Sequence, residues 1–472
     1  MNNPHLGIIA TRPAAALNIT RAIIIAVAGV TLVFGVLVIP PILIDVRTHS
    51  SLACDMLDAH LPQINFFIQH PWNFLDYPGY SVSLPGHHIL LAWAARALGY
   101  MTIDSATLPI RLLHATFGLV FSVVLFLFLY RLRRDDPRQS RLWVTLALWI
   151  SVVPSFYFVQ SSVSISTDLP AATIYLVYLY LITFHSQAIA AITVSATALV
   201  FWRQIYAPVI MVPLLACPGR VRANQIGLSL LTLVVPGALL LFYIIHFGGF
   251  APPNSIVEHL PEPLIQIGWH SMGLHLGGVF PQSILHAFAF VGLVSPVYLA
   301  IFSTAFKSAY RSIVTIIAAS AIFLLIAAIW ITVPSNFAAG RWGSIVWSLG
   351  QIGPSWNNRS FIILLLGIVG TAFIAPLIHL ALSRSEIRPA LIGMLLYIGG
   401  QIFMPLSYQR YVEPVVLLSL ALIAAPTVIV PTWRMSFFTS IFALYSVVGI
   451  LRIYNFLPNI WLIANFRLAC PT

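Results

Sequence analysis

Side chains suited to acid–base chemistry concentrate between residues 45 and 88. This segment contains four aspartates and five histidines and follows the first long apolar run. A carboxylate in such a loop can take a proton from a hydroxyl group as a general base. The candidates are Asp58 and Asp55, with His60 close by and Asp76 further along. The alternative for any single aspartate is a solvated loop residue without a chemical role.

Two arginines between apolar runs predict an anion-binding site. Arg203 stands in the stretch FWRQIY, and Arg410 stands at the end of another run, three residues before Glu413. A charge at such depth is unfavourable unless it is paired or functional, and a guanidinium suits bidentate phosphate binding. The alternatives are that Arg203 extends to the lipid headgroups and that Arg410 forms an ion pair with Glu413.

A further acidic position, Asp168, ends a short polar turn before Leu169 and Pro170. An aspartate there is a good N-cap, and proline is favoured in the first helical turn. Capping alone would explain Asp168, although it is compatible with a role in binding substrate.

The composition indicates what kind of scaffold holds these residues. Of the 472 residues, 60% are hydrophobic and only 7% are charged. Soluble domains usually carry about 25% charged residues, so a soluble enzyme, a disordered chain and a nucleic-acid-binding protein are all excluded. The chain is predicted to be an all-α polytopic membrane protein. Its net charge of +11 then orients the chain in the bilayer.

Apolar runs predict about 13 transmembrane helices, each needing about 20 residues. They fall at 22–44, 107–130, 141–159, 169–184, 188–202, 205–217, 225–247, 284–304, 311–333, 360–382, 388–405, 409–430 and 434–456. The shorter segment 87–100 is predicted to lie flat in the interface. With it flat, the basic turns share one side of the membrane, as the positive-inside rule requires.

This topology predicts two transmembrane modules. Residues 1–247 form a catalytic module with a first outer loop at 45–106. Residues 248–472 form a C-terminal module with outer loops at 248–283 and 334–359.

Metal and nucleotide chemistry are not indicated. His87 and His88 are adjacent and point in different directions, and the chain has neither an HExxH motif nor a Gly-rich nucleotide loop. A metal ion in the first outer loop is possible, but we expect neither a metal nor another cofactor. Cys54 and Cys470 both map outside, and a disulfide between them stays an open alternative.

Five stretches resemble the dolichyl-phosphate-glucose-dependent α-1,2-glucosyltransferases, a family of GT-C class membrane glycosyltransferases. The family's Asp-Glu-x-x-His-x-Pro-Gln is similar to Asp-Ala-His-Leu-Pro-Gln at Asp58–Gln63. Its Thr-Pro-Pro-Gly-x-Tyr and Tyr-Thr-Asp are similar to Ser83–His88 and Ser166–Asp168. Its Phe-Arg-Gln-Thr-Asn and Phe-Arg-Tyr are similar to Trp202–Tyr206 and Gln409–Tyr411. The family's acidic pair falls on Met56 and Leu57 here, so both Asp58 and Asp55 stay candidates for the base.

The resemblance implies a GT-C fold and transfer of one sugar, glucose or another hexose, from a polyprenyl phosphate to a glycolipid or glycan. Asp58 or Asp55 would be the base, with His60 assisting, and Arg203 and Arg410 would bind the donor phosphate. The expected acceptor- or sugar-binding residues are Asp168, Gln63, Asp76, Trp72, His87, Gln204 and Tyr411.

A lipid-linked oligosaccharide flippase or polymerase is the alternative function, since outer loops rich in Arg and His suit it too. The active site is expected on the outer face of a prokaryotic plasma membrane, or on the lumenal face of the ER membrane in a eukaryote.

Overall fold

A computed structural model describes most of the chain. The described residues are 12–43, 56–78, 81, 83–134, 136–216, 223–249, 281–306, 345–356, 359–404, 409–428 and 432–453. The predicted span at 311–333, Asp55, Cys54 and Cys470 lie outside them.

The first half of the chain is built from helices joined by short breaks. A π-helical turn spans Met56–His60, and a 3₁₀ helix spans Gln204–Met211. The α-helices are α1 Arg12–Leu43, α2 Leu61–Gln69, α3 Gly86–Ala97, α4 Ile103–Leu132, α5 Arg138–Ile150, α6 Phe156–Val163, α7 Asp168–Phe184, α8 Ile189–Trp202, α9 Val212–Ala216 and α10 Ala223–Phe247.

The second half is also helical, apart from one small hairpin. The hairpin pairs β1 Ser355–Trp356 with β2 Arg359–Ser360 in an antiparallel register. Short 3₁₀ helices span Ser385–Ile387 and Gln401–Phe403. The α-helices are α11 Pro281–Phe306, α12 Ile345–Ile352, α13 Phe361–Ser383, α14 Arg388–Gly400, α15 Gln409–Ala424 and α16 Thr432–Ile453.

The chain is an all-α, multi-pass membrane protein. Within the described residues, six helices are long and apolar enough to cross a bilayer, and the bent pair α6–α7 would make a seventh span. Large apolar side chains such as Ile25 and Leu382 are each 71% exposed. Apolar surface of this kind is stable against lipid and not against water. The six spans are Ile23–Leu43, Ile103–Leu132, Leu230–Phe247, Ser283–Phe302, Phe361–Ser383 and Trp433–Leu451.

The count of 13 spans stays a prediction, because the described residues cover only part of the predicted set. At the predicted flat segment 87–100 the structure has α3, which contains 12 residues. A helix of that length is roughly 18 Å long and too short to cross a bilayer. Its position in the membrane interface likewise stays a prediction.

Two breaks interrupt apolar helices in the first half of the chain. Helices α6 and α7 meet at an angle of 114°, with Thr167 at the N-cap position of α7. Helix α8 ends where Arg203 adopts an extended backbone (φ −156°, ψ 101°). Each break therefore places polar residues beside the ends of apolar helices.

Helices α11 and α13 pack closely enough for their backbones to touch. A Cβ atom added at Gly292 would clash with the carbonyl group of Leu366, and one added at Gly370 would clash with the carbonyl oxygen of Phe288. Small residues permit such close approach between membrane helices, where van der Waals packing drives association.

Replacing Gly292 should therefore weaken this helix pair. For Gly292→Ala we expect a loss of about 1–3 kcal/mol in the free energy of unfolding, the usual effect of overpacking. Thermal unfolding of the purified protein in detergent measures it. The control is Gly237→Ala, in a helix where nothing lies within 4 Å of the added Cβ. Equal stability of the two variants would contradict the close packing.

Candidate functional site

Five chain segments converge on one polar cluster. They are the turn Met56–His60, the residues at the start of α3, the break before α7, the break after α8 and the start of α15. None of these five lies in the middle of a long apolar helix, so each can present side chains without interrupting a membrane span. A further contributor, His114, stands within the long helix α4. The cluster draws on both predicted sequence modules.

Arg203 is the centre of the cluster, with only 8% of its side chain exposed. Its Nε atom forms an ion pair with Asp168 Oδ1 at 2.8 Å. Its Nη1 atom donates to Thr167 Oγ1 at 2.8 Å and to Ser83 Oγ at 3.1 Å. Its Nη2 atom is buried and finds no acceptor among the described residues. Nε and Nη1 are thus held by protein acceptors, while Nη2 can still donate hydrogen bonds.

A second guanidinium, that of Arg410, contacts the same ring of Tyr411, the next residue in sequence. The guanidinium carbons of Arg203 and Arg410 lie 4.6 Å and 4.9 Å from the centre of the Tyr411 ring. Arg410 Nη2 also donates to the Tyr411 hydroxyl at 3.0 Å. Cation–π contacts of this kind orient charged groups, so Tyr411 links the two arginines.

Glu413 does not neutralise Arg410 in the part of the chain that the structure describes. Its Oε2 atom accepts hydrogen bonds from Gln409 Nε2 and the Tyr445 hydroxyl, each at 2.7 Å. The Glu413 side chain is directed toward α16 as a result, and the alternative of an Arg410–Glu413 ion pair is not realised.

The local sequence explains how Arg203 reaches this position. Its extended backbone turns the chain out of α8, and the Arg203 N–H still bonds to the Leu199 carbonyl at 2.9 Å. Nearby, a Cβ atom at Gly86 would clash with the Trp202 indole and with the ring of Phe201. Glycine therefore allows the start of α3 to pack directly against the end of α8. Gln204 Oε1 accepts a hydrogen bond from the Leu84 N–H at 3.3 Å and joins the same two segments.

The predicted N-cap role of Asp168 needs correction. Thr167 occupies the N-cap position, and Asp168 is the first residue of α7. Its carboxylate pairs with Arg203 because an unpaired guanidinium buried there would be far less stable. Arg203 likewise does not extend to the headgroups, since its side chain is buried in this pair.

Buried histidines form two pairs beside the arginines. His60 Nδ1 lies 2.9 Å from His88 Nε2, and His87 Nε2 lies 3.2 Å from His114 Nδ1. Burial lowers the pKa of His60 well below 6.5, with further contributions from His88, Arg410, Arg203 and His114. Burial also lowers the pKa of His88 to about 3. Both imidazoles are therefore neutral at pH 7.

The predicted residues do not all gather at the arginine cluster. His60, His87, Asp168, Gln204 and Tyr411 contribute to it. Gln63 is buried in α2.

Asp76 and Trp72 lie elsewhere. The Asp76 side chain is 85% exposed and lies 3.9 Å from His246. Trp72 is 74% exposed and packs beside Phe74 and Trp93.

One of the two candidate bases lies among the described residues. Asp58 belongs to the π-helical turn Met56–His60, two positions before His60. Asp55 lies outside the described residues. The choice between them stays a prediction.

Four contributors to the cluster were not predicted as site residues. Ser83 and Thr167 stand inside the motif stretches already noted, and their hydroxyl oxygens lie 2.9 Å apart beside Arg203. For His88, its adjacency to His87 predicts only that the two do not share a metal ion. His114 stands in a predicted apolar span, and a polar residue there is itself a functional signal.

No group of three or more His, Cys, Asp or Glu residues able to hold a metal ion occurs within the described ranges. The prediction of no metal stays untested for the first outer loop as a whole, because Asp55 is not among the described residues.

Comparisons with known proteins leave the family open. No protein-family model and no curated protein matches the chain. Among solved structures, the crystal structure of ArnT from Cupriavidus metallidurans in the apo state is similar to this chain with a TM-score of 0.30 and 12% sequence identity. The similarity covers 88% of this chain and 78% of that chain.

Removing the Asp168 carboxylate should destabilise the protein strongly. Asp168→Ala leaves the buried guanidinium of Arg203 uncompensated, and we expect a loss of about 3–5 kcal/mol in the free energy of unfolding. Chemical unfolding in detergent measures this loss. The control is Asp104→Ala, at an exposed residue in the first turn of α4, which should lose less than about 1 kcal/mol. A loss at Asp168 no larger than at Asp104 would show that the pair does not form.

The buried histidines should make the protein acid-sensitive. His60 and His88 have lowered pKa values in the folded state, whereas in the unfolded chain they titrate near pH 6.5. As pH falls below 6.5, protons bind the unfolded chain first, and stability falls by up to about 1.4 kcal/mol per pH unit for each histidine. Above that pH the two histidines contribute no pH dependence.

The test is the apparent unfolding temperature between pH 8 and pH 5. It should fall on the acid side in the wild-type protein and fall less in the His60→Gln/His88→Gln variant. Parallel curves for the two proteins would contradict neutral burial of this pair.

Proposed function

We propose that the protein is a GT-C class glycosyltransferase that moves one sugar from a polyprenyl phosphate to a hydroxyl acceptor. The proposal rests on the buried Arg203, whose Nη2 atom has no acceptor among the described residues. Arg203 also contacts the same Tyr411 ring as Arg410. A phosphate monoanion or diester supplies the acceptor oxygens that such a group needs.

The position of the cluster supports a lipid-linked donor. Its arginines stand at the ends of apolar helices and not in a soluble domain. A polyprenyl chain is soluble among such helices, while its phosphate requires a cationic site at their ends. This combination favours a polyprenyl-phosphate sugar over a soluble nucleotide sugar as the donor.

The reaction proposed is a single inverting displacement. The carboxylate of Asp58, or of Asp55, takes the proton from the acceptor hydroxyl as its oxygen attacks the anomeric carbon. The new C–O bond forms on one face of the sugar while the bond from the anomeric carbon to the phosphate oxygen breaks on the other. Positive charge develops on the sugar ring in the transition state, as in other glycosyl transfers.

The leaving polyprenyl phosphate gains a negative charge and needs no proton. Arg203 and Arg410 stabilise this charge, and the effect is larger in a site that excludes water. The ion pair with Asp168 and the hydrogen bonds to Thr167 and Ser83 hold Arg203 in place. Preorganised donors of this kind need no rearrangement during the reaction.

Other residues are assigned to the sugar and the acceptor. His87, Gln204 and Tyr411 lie at the cluster and are assigned to the sugar. Gln63, Asp76 and Trp72 are assigned to the acceptor side, where an exposed tryptophan suits stacking on a sugar. The sugar is glucose or another hexose, the acceptor is a glycolipid or glycan, and the site faces the outer or lumenal side.

The decisive experiment is a transfer assay with purified protein. Radiolabelled polyprenyl-phosphate sugars, glucose first, are offered with a membrane lipid extract as acceptor. We expect label to enter a new glycolipid, and Asp58→Ala to abolish this transfer. Full activity in Asp58→Ala would move the base to Asp55.

The same assay tests the phosphate clamp. We expect Arg203→Gln to lower kcat by about 10²–10³-fold, the usual effect of removing one donor to a developing anion. The matched control is Arg131→Gln, in the last turn of α4 and away from the cluster. Its guanidinium also contacts an aromatic ring, that of Phe184. No transfer from any such donor by folded wild-type protein would favour a flippase or polymerase instead.

A further inference from the structure

The two adjacent histidines at the start of α3 serve different partners. His87 pairs with His114 of α4, and His88 pairs with His60 of the first-loop turn. The rings of His60 and His88 have centroids 5.2 Å apart and planes inclined by only 21°, an edge-to-edge arrangement that suits a hydrogen bond between their nitrogens. All four residues are buried. The hydrogen-bonding partners of each ring then determine which nitrogen carries its proton.

A backbone carbonyl fixes the tautomers of the first pair. His114 Nε2 lies 2.8 Å from the carbonyl oxygen of Ser161, which can only accept a hydrogen bond. Nε2 of His114 therefore carries the proton, and its Nδ1 atom accepts. His87 must then donate from Nε2, which leaves its buried Nδ1 without a proton. This agrees with the lack of an acceptor near His87 Nδ1 among the described residues.

The tautomers of His60 and His88 follow in the same way. His88 Nδ1 is buried and has no hydrogen-bond partner among the described residues. A proton on this atom would be a buried donor without an acceptor, which native structures rarely contain. His88 therefore carries its proton on Nε2 and donates it to His60 Nδ1. In neutral His60 the proton consequently lies on Nε2.

The Nε2 proton of His60 lies in a cationic environment. Arg203 and Arg410 are both near enough to act electrostatically on the His60 imidazole, as are His88 and His114. Burial and these neighbours hold the pKa of His60 well below 6.5. His60 thus stays neutral beside two cations and presents an N–H group. The only described partner of its ring is at Nδ1.

We infer that His88 is a positioning residue that holds His60 as the neutral Nε2–H tautomer, so that His60 donates a hydrogen bond to an anionic oxygen of the substrate phosphate. The inference rests on the proposed function for the identity of that anion. His60 then belongs to phosphate binding together with Arg203 and Arg410. It follows that neutral His60 does not abstract the acceptor proton through Nε2, and that this task stays with an aspartate.

The tautomer can be measured without any activity. Purified protein labelled with ¹⁵N-histidine is reconstituted in lipid nanodiscs, and the His60 signals are assigned by their loss in His60→Gln. We expect His60 to be protonated at Nε2 in the wild-type protein and to lose this preference in His88→Leu. Protonation at Nδ1 in the wild type, or an unchanged tautomer in His88→Leu, would overturn the inference.

A double-mutant cycle in the transfer assay separates positioning from general stability. We expect His88→Leu to lower kcat on the order of ten- to a hundredfold, the range for a hydrogen bond to a charged group. The same change in a His60→Ala background should have no further effect, since its target is gone. An equal loss in both backgrounds would show a purely structural role and contradict the inference.

A conservative variant at His88 and a control at a distant histidine test whether the hydrogen bond itself is required. The amide nitrogen of a glutamine can replace the Nε2 donor of histidine, so His88→Gln should recover most of the kcat lost in His88→Leu. His185→Leu, at a histidine bonded to Arg131 at the far end of α4, should leave kcat unchanged. If wild-type protein transfers no sugar, the proposed function fails, and the ¹⁵N spectra still decide the tautomer.

Discussion

A guanidinium buried inside an apolar bundle has to be neutralised, and the arrangement of this site follows from that requirement at Arg203. Asp168 is its described counter-charge, at 2.8 Å. For the two to meet, α7 must begin where α8 ends. Burying either charge alone would cost several kcal/mol. The pair therefore holds two helix ends together and fixes the remaining donor atom of Arg203 in space.

Helix breaks make this possible without exposing backbone polar groups to lipid. The extended residue Arg203, the 114° bend before α7 and the turn Met56–His60 all release the chain from regular helices. In a bilayer, irregular backbone is stable only where protein covers it or it lines a cavity. Here the breaks cover one another, because Ser83 and Thr167 bond to Arg203 while Gln204 bonds to the Leu84 N–H.

Hydropathy and charge were sufficient to predict an all-α membrane protein and to single out Arg203 as a charged residue between apolar segments. Both signals are local, because a run of apolar residues or an isolated charge can be read from neighbouring positions. The pairing of Arg203 with Asp168 was not predictable, since it depends on a bend between α6 and α7. The partners of Glu413 were missed for a similar reason: Arg410 is near in sequence, but Tyr445 approaches from α16. The histidine pairs likewise join residues 27 and 28 positions apart.

The proposed reaction depends on binding of the polyprenyl phosphate by Arg203. A cryo-EM structure of the protein in nanodiscs with a bound polyprenyl phosphate would show this contact. We expect a phosphate oxygen within hydrogen-bonding distance of Arg203 Nη2, about 2.7–3.2 Å, with Arg410 and His60 beside it. A phosphate bound elsewhere, with Arg203 Nη2 directed toward a protein acceptor, would rule out phosphate binding by Arg203.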